Sequence, residues 1–373
     1  MATVVLKPDA ATGYWNVIRE AAACLASGGL VVFPTETVYG IGVWATDPKA
    51  LARLRSVKGR QETKPFTVHI GCRTALEQYV PDPGEMGRRL SQKAWPGPLT
   101  LVFRVDDPTQ APVIRESSIE HVGALYYQGT VGIRYPDDHT AADLLTAVRG
   151  AVVAASANPA GASPAVDAEQ ALRALDGKVD LLIDAGRTRY GKASTIVRVT
   201  DTSYAVLREG VLDERTVRRL ARVTFLVVCS GNTCRSAMGE GLLRRLLATR
   251  LGCKDAQLGD RGYAVESAGT MAFDGAPASS AAVEALRARG IDISGHRSTA
   301  LAPELIHRAD YVFAMTDGHL RSIITMVPSA KDRCRRLDDD NIEDPIGGDM
   351  EVYSRCADRL EGALRRQLEE IPL

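Results

Sequence analysis

Apolar and polar positions along this chain fall into two textures. In the first half, short apolar runs stand between helical patterns. Residues 30–33, 99–103, 131–134, 151–155, 181–183 and 195–199 predict strands, and residues 50–57 predict a helix. Several of these strands follow one another closely, so the pattern predicts an α/β domain with a mixed rather than purely parallel sheet. Near residue 210 the texture changes. Residues 213–222 are charged, with Val217 and Leu220 spaced for a short connecting helix. A continuous apolar run over 223–228 then ends directly at Cys229. Strand and helix patterns alternate from there: helices over 236–249 and 281–289, a strand over 311–315, and a last helix. That last helix carries Tyr353, Cys356, Ala357, Leu360, Leu364 and Leu368 on one stripe. The expected division is a domain over 1–210, a linker helix over 211–222 and a second α/β domain over 223–373.

Composition narrows the class. The 373 residues suit two domains, and 45% hydrophobic with 25% charged residues is ordinary for a globular protein. Lys plus Arg equals Asp plus Glu, 46 each, which gives no electrostatic case for non-specific nucleic-acid binding. The 7 cysteines show no zinc or disulfide spacing, the start of the chain does not read as a signal peptide, and no apolar run is long enough to span a membrane. These features predict a cytoplasmic protein without metal-binding side chains.

The sharpest chemistry is the segment Cys229-Ser230-Gly231-Asn232-Thr233-Cys234-Arg235-Ser236, between a strand and a helix. A loop at a helix N-terminus turns backbone N–H groups into a concavity that suits an anion. Arg235 can grip that anion bidentately. The same positive field favours a thiolate at Cys229, placed to attack phosphorus and form a phosphocysteine. Asp344-Pro345, in the loop before the last helix, supplies a candidate general acid. In the first half polar residues gather near strand ends without one sharp motif. Lys58, Arg60, Lys64 and Arg134 are cations suited to a triphosphate, and Ser156 and Asn158 are short hydrogen-bonding groups. By themselves they mark an anion site and no more.

Family resemblance carries both halves further. The Cys229 loop and Asp344-Pro345 stand with Glu266 to Thr270, Ile293 to Ser298 and Ala309 to Thr316. Together they resemble the low-molecular-weight protein phosphatases, a parallel sheet flanked by helices. The resemblance implies Cys229 as nucleophile, Arg235 as phosphate clamp and Asp344 as acid. It implies support from Ser230, Gly231, Asn232, Thr233, Cys234 and Ser236, a phosphoprotein substrate and no cofactor. Thr233, and Ile346-Gly347-Gly348 after Asp344-Pro345, look like the protein-arginine-phosphatase branch rather than the tyrosine-directed one. Cys234 suits either a reversible disulfide with Cys229 or a plain loop position.

Residues 14–210 are similar to the YrdC-like threonylcarbamoyl-AMP synthases, which have a twisted, mixed α/β sheet. The match rests on Pro34 to Gly40, Lys58-x-Arg60, Pro96 to Thr100, Gly132 to Pro136, Ser156-x-Asn158, Ser194 to Val197 and Leu207 to Gly210. The resemblance implies that L-threonine, bicarbonate and ATP give threonylcarbamoyl-AMP and pyrophosphate, with Mg²⁺ accompanying ATP. The product would feed the machinery that threonylcarbamoylates tRNA. It implies that Lys58, Arg60, Lys64, Asn158 and Arg208 hold ATP, and that Thr35, His69, Thr130 or Arg134, Ser156 and Ser194 contact threonine. Its rivals are an RNA-binding module without synthase activity in front, and a tyrosine phosphatase or non-catalytic phosphate-binding domain behind.

Overall fold

The computed structural model describes residues 2–8, 13–59, 66–118 and 121–371. The chain divides into two compact units, Met1–Leu220 and Ala221–Leu373, with the helix Glu214–Ala221 at the division.

The first unit is built on ten strands: β1 (Val4–Leu6), β2 (Val31–Phe33), β3 (Gly40–Trp44), β4 (Thr67–His69), β5 (Leu99–Arg104), β6 (Thr130–Arg134), β7 (Val152–Ser156), β8 (Leu181–Ile183), β9 (Thr195–Val199) and β10 (Tyr204–Arg208). They form one sheet in the order β1-β8-β2-β3-β7-β4-β6-β5-β9-β10. The sheet is mixed, as the sequence predicts. β2 and β3 pair antiparallel, as do β3 and β7, while β4 with β6 and β5 with β9 are parallel. The helices Tyr14–Ala26 and His139–Ala147 bury Val17, Ile18, Ala21, Leu25, Ala141 and Leu144 in one core with Val31, Phe33, Val152 and Leu181. Asp47 caps the helix Pro48–Val57, accepting from the Lys49 and Ala50 N–H groups, and Pro48 begins it.

The second unit has a four-stranded, wholly parallel sheet in the order β12-β11-β13-β14, with β11 (Val223–Cys229), β12 (Tyr263–Gly269), β13 (Tyr311–Ala314) and β14 (Cys334–Arg336). The apolar run of β11 is continuous because both faces are covered. Phe225, Val227 and Cys229 enter one core, and Leu226 and Val228 enter the other. The first core is closed by the helices Arg235–Arg250 and Met350–Glu369, whose Tyr353, Cys356, Ala357, Leu360, Leu364 and Leu368 are the predicted stripe. β11 is central and ends on Cys229, so the nucleophile candidate lies at the carboxyl edge of the sheet, where ligands of open α/β sheets bind.

Candidate active sites

In the second unit the loop from Ser230 to Cys234 leaves β11 and enters the helix Arg235–Arg250. Its tight path depends on Asn232, which has φ 54° and is fully buried. Asn232 donates from Nδ2 to Ser236 Oγ and Ser267 Oγ, both at 2.8 Å, and its Oδ1 accepts the Thr299 N–H at 2.7 Å. Asparagine is among the few non-glycine residues that tolerate this left-handed backbone. Gly269, at the end of β12, lets the loop approach closely. A Cβ there would lie 2.4 Å from Ser230 O and 2.9 Å from Asn232 N.

These bonds extend to the candidate nucleophile. Ser236 Oγ accepts from Asn232, so its own hydrogen is available to Cys229 Sγ, 2.9 Å away. Arg235 is 4% exposed; it donates from Nη1 to Ile342 O at 2.9 Å and from Nη2 to Ser230 Oγ at 3.1 Å and to the Asp344 carboxylate. Its Nε is buried and has no protein partner. The Nε and Nη2 edge of a guanidinium is a fork that fits two oxygens of a phosphoryl group. Cys229, Ser236 and Asn232 thus form one hydrogen-bonded set, and Ser230, Arg235 and Asp344 a second. Gly231 is not the left-handed residue of the loop; Asn232 is. Thr233 is half-buried, with its carbonyl accepting the Ser279 N–H at 2.9 Å and its Oγ1 3.8 Å from Cys234 Sγ. Cys234 Sγ lies 3.3 Å from Ser279 Oγ and 3.4 Å from Tyr353 Oη, and both Cys229 and Cys234 are free thiols.

A further pair braces the loop from outside. His296 Nε2 must carry its hydrogen, because it faces the Asn232 carbonyl at 2.7 Å, and its Nδ1 is 3.7 Å from Glu240 Oε2. Burial disfavours the imidazolium, but the hydrogen bond and charge of Glu240 outweigh burial and raise the pKa of His296. Burial pushes Glu240 up, yet its bonds to His296 and Ser267 prevail and lower it.

In the first unit a cavity of about 270 Å³ opens over the sheet. Thr35, His69, Arg134, Ser156, Ser194 and Arg208 all line it. They arrive from β4, β6 and β7, from the loop after β2, and from the segments around β9 and β10, so the strand order brings together residues far apart in sequence. Arg134 directs Nη2 to Glu36 Oε2 at 3.0 Å, Thr37 Oγ1 at 2.5 Å and Thr35 Oγ1 at 3.4 Å. Its Nε is buried without a partner. His69 is held neutral: burial and then the charge of Arg134 push its pKa down to about 3. Its Nδ1 faces the Thr67 carbonyl at 3.1 Å and so carries the hydrogen, leaving Nε2 as an acceptor. Arg208 donates to Ser194 O at 2.9 Å, and Ser194 Oγ lies 3.0 Å from Thr100 Oγ1.

Three of the expected residues stand apart from the wall of this cavity. Lys58 does not line the cavity. It is 4% exposed, and its ammonium donates to Ser156 O at 2.7 Å, to Asn158 O, and toward Asn158 Oδ1 at 3.3 Å. Asn158 is likewise turned into the protein, donating to Pro159 O and Ala162 O. Both side chains build the turn that presents Ser156. Thr130 begins β6 and Arg134 ends it, about 13 Å apart at the usual rise per strand residue. The Thr130 hydroxyl donates to Tyr127 O at 2.7 Å, away from the cavity. Arg60 and Lys64 lie outside the described residues. Glu36, Thr37 and Thr100 stand in the quoted segments but, like Thr67, carried no expected role. A Glu between two Thr after a buried strand is the one local signal, since a buried carboxylate requires a cation.

The profile of the Sua5/YciO/YrdC family, described as telomere recombination, matches residues 23–210, and that of the low molecular weight phosphotyrosine protein phosphatases matches residues 224–372. A threonylcarbamoyl-AMP synthase of Pyrococcus abyssi is 34% identical over 210 residues, 56% of this chain and 58% of that protein. The chain therefore spans little more than half the length of that relative. A protein-arginine-phosphatase of Geobacillus stearothermophilus is 40% identical over 153 residues, 39% of this chain and 95% of that protein. The crystal structure of P. abyssi Sua5 complexed with L-threonine superposes with a TM-score of 0.50 at 23% identity, covering 72% of this chain and 92% of that one, which is a likeness of fold. With the Cys229 and Arg235 loop in its second unit and an Arg134-centred cavity in its first, the chain belongs to the Sua5/YciO/YrdC family through its first unit and to the low-molecular-weight phosphatase family through its second.

Proposed function

We propose that the chain is a bifunctional enzyme: a threonylcarbamoyl-AMP synthase followed by a protein phosphatase acting on phosphoarginine. For the phosphatase, the carrying observation is the buried, unpartnered Nε of Arg235 beside a Cys229 thiol that Ser236 is set to solvate. The Cys229 thiolate attacks phosphorus, the S–P bond forms and the bond to the leaving group breaks, and Asp344 gives that group a proton. Water then cleaves the S–P bond, and Asp344 takes the water's proton. The arginine preference is supported by Thr233, whose hydroxyl can bond to a guanidinium, and by the Geobacillus relative.

For the synthase, the supporting observation is that the neutral His69, Thr35 and Arg134 line one cavity with Ser156, Ser194 and Arg208. Arg134 would hold the carboxylate of threonine or its carbamate, and His69 Nε2 would accept an N–H from the amino group. Threonine and bicarbonate condense to a carbamate, whose carboxylate attacks the α-phosphorus of ATP and expels pyrophosphate. Arg208 would stabilise negative charge on the nucleotide. A magnesium ion would be carried by the phosphates of ATP. The product would pass to the tRNA-modifying machinery in the cytoplasm. Among the described residues no helix is long and apolar enough to cross a membrane.

Two assays test this reading. Pyrophosphate release from ATP should require threonine and bicarbonate; a chain that binds RNA but releases none would be the RNA-binding module instead. Phosphate release should favour a phosphoarginine peptide over a phosphotyrosine peptide. The reverse preference would make the second unit a tyrosine phosphatase.

A further inference from the structure

Beside Cys229 stands a second hydroxyl, held by a histidine that the proposed reaction has not used. Ser230 accepts from the Arg235 clamp, and its Oγ lies 2.9 Å from His319 Nε2. His319 is 7% exposed in the first turn of the helix Asp317–Met326. Its Nδ1 lies 2.9 Å from Thr316 Oγ1, and that hydroxyl also caps the helix by accepting the His319 N–H at 3.3 Å.

Counting donors orders this chain. Arg235 can only donate, so one lone pair of Ser230 Oγ is taken. If Nδ1 carried the ring hydrogen, Thr316 Oγ1 would accept twice and its own hydrogen would have no protein acceptor among the described residues. With the hydrogen on Nε2, the Thr316 O–H donates to Nδ1, Nε2–H donates to Ser230 Oγ, and each contact is a proper donor–acceptor pair. Ser230 then accepts twice and keeps its own hydrogen for a third partner, on the side where Arg235 presents its Nε and Nη2 edge. The groups whose charges bear on His319 are Arg235 and Asp344. Burial and then Arg235 hold the imidazole below its usual range against the pull of Asp344, which keeps this neutral form at ordinary pH.

We propose that His319 is a positioning residue that turns the Ser230 hydroxyl into an additional hydrogen-bond donor to the phosphoryl group in the Cys229 loop. This rests on the phosphatase reading above. A donor fixed in advance stabilises charge that grows on the equatorial oxygens in the transition state, so its effect falls on kcat more than on KM.

The test is a double-mutant cycle on the full chain with para-nitrophenyl phosphate: wild type, His319→Ala, Ser230→Ala and the double variant, with Cys229→Ser as blank. Each single change should lower kcat about tenfold to a hundredfold with KM within about threefold, and the double variant should be no slower than Ser230→Ala. His319→Gln keeps a side-chain N–H able to reach Ser230 and should recover most of the lost kcat. Multiplying losses in the double variant, or a His319→Ala enzyme as fast as wild type, would overturn the proposal. If His319→Ala fails to fold, His319→Gln decides: a folded but equally impaired enzyme overturns it, and near-wild-type kcat supports it. A wild-type chain no faster than Cys229→Ser would instead sink the phosphatase reading, and this inference with it.

Discussion

Replacing Lys58 by Met separates two roles for this lysine. A phosphate ligand would be idle until ATP arrives. The structure instead commits the ammonium to Ser156 O, Asn158 O and Asn158 Oδ1. Met keeps the stem packed but leaves the buried Asn158 O without its charged donor, while Ser156 O keeps the Asn158 N–H at 2.9 Å. A buried acceptor left unsatisfied costs about 1–3 kcal/mol, which gives a loss of about 2 kcal/mol. For a unit of this size each kcal/mol moves the melting midpoint by about 2–4 °C, so the ligand-free first unit should melt about 4–8 °C lower. The assay is clean because the three tryptophans, Trp15, Trp44 and Trp95, all lie in the first unit, so tryptophan fluorescence follows its melting alone. Pyrophosphate formation should fall as well, because the turn carrying Ser156 loosens. A ligand-free midpoint within about 2 °C of wild type, with ATP binding nevertheless lost, would refute the positioning role and return Lys58 to the phosphates.

Other outcomes follow from the same geometry. Thr130→Val should leave the KM for threonine within about twofold, because its hydroxyl points at Tyr127 O; a tenfold rise would restore it to the site. His69 is neutral in the folded chain with its pKa pushed down to about 3, whereas the unfolded chain binds its proton near pH 6.5. Its contribution is therefore fully present above about pH 6.5 and is lost as pH falls toward 3, at up to about 1.4 kcal/mol per pH unit. His69→Asn should flatten that part of the first unit's stability profile, measured by urea unfolding followed through tryptophan. Asn232→Ala removes three side-chain hydrogen bonds and places Ala at φ 54°, which should cost about 3–5 kcal/mol and nearly abolish dephosphorylation. Melting of the second unit by circular dichroism would check the first effect.

The legible parts of the sequence were those where local pattern and packing agree. The 223–228 run announced β11 because a strand covered on both faces needs no polar positions. The stripe from Tyr353 to Leu368 announced its helix because one face alone is buried. β3 escaped notice because Gly40 and Gly42 interrupt an otherwise apolar strand; Phe33 packs there so closely that a Cβ at Gly42 would meet its ring at 2.9 Å. The Cys229 loop could be read because its ligand groups are contiguous and share one backbone turn. The front site is assembled from strands that meet only in the folded sheet, so residue type alone could not say which way a side chain turns. Lys58 and Asn158 share the chemistry of ligands but face inward. Thr130 and Arg134 share one face of β6, yet only the latter's end of the strand reaches the cavity. His319 is five residues beyond the end of β13 and binds a serine 89 residues away in sequence, a contact only the tertiary structure sets.

Two chemically independent sites in one chain is the central claim, and Cys229→Ser tests it most directly. The purified variant would be assayed beside wild type for threonine-dependent pyrophosphate release and for phosphate release from a phosphoarginine peptide. The account predicts pyrophosphate at the wild-type rate and no peptide dephosphorylation. Undiminished dephosphorylation by Cys229→Ser, or no threonine-dependent pyrophosphate from either protein, would contradict it.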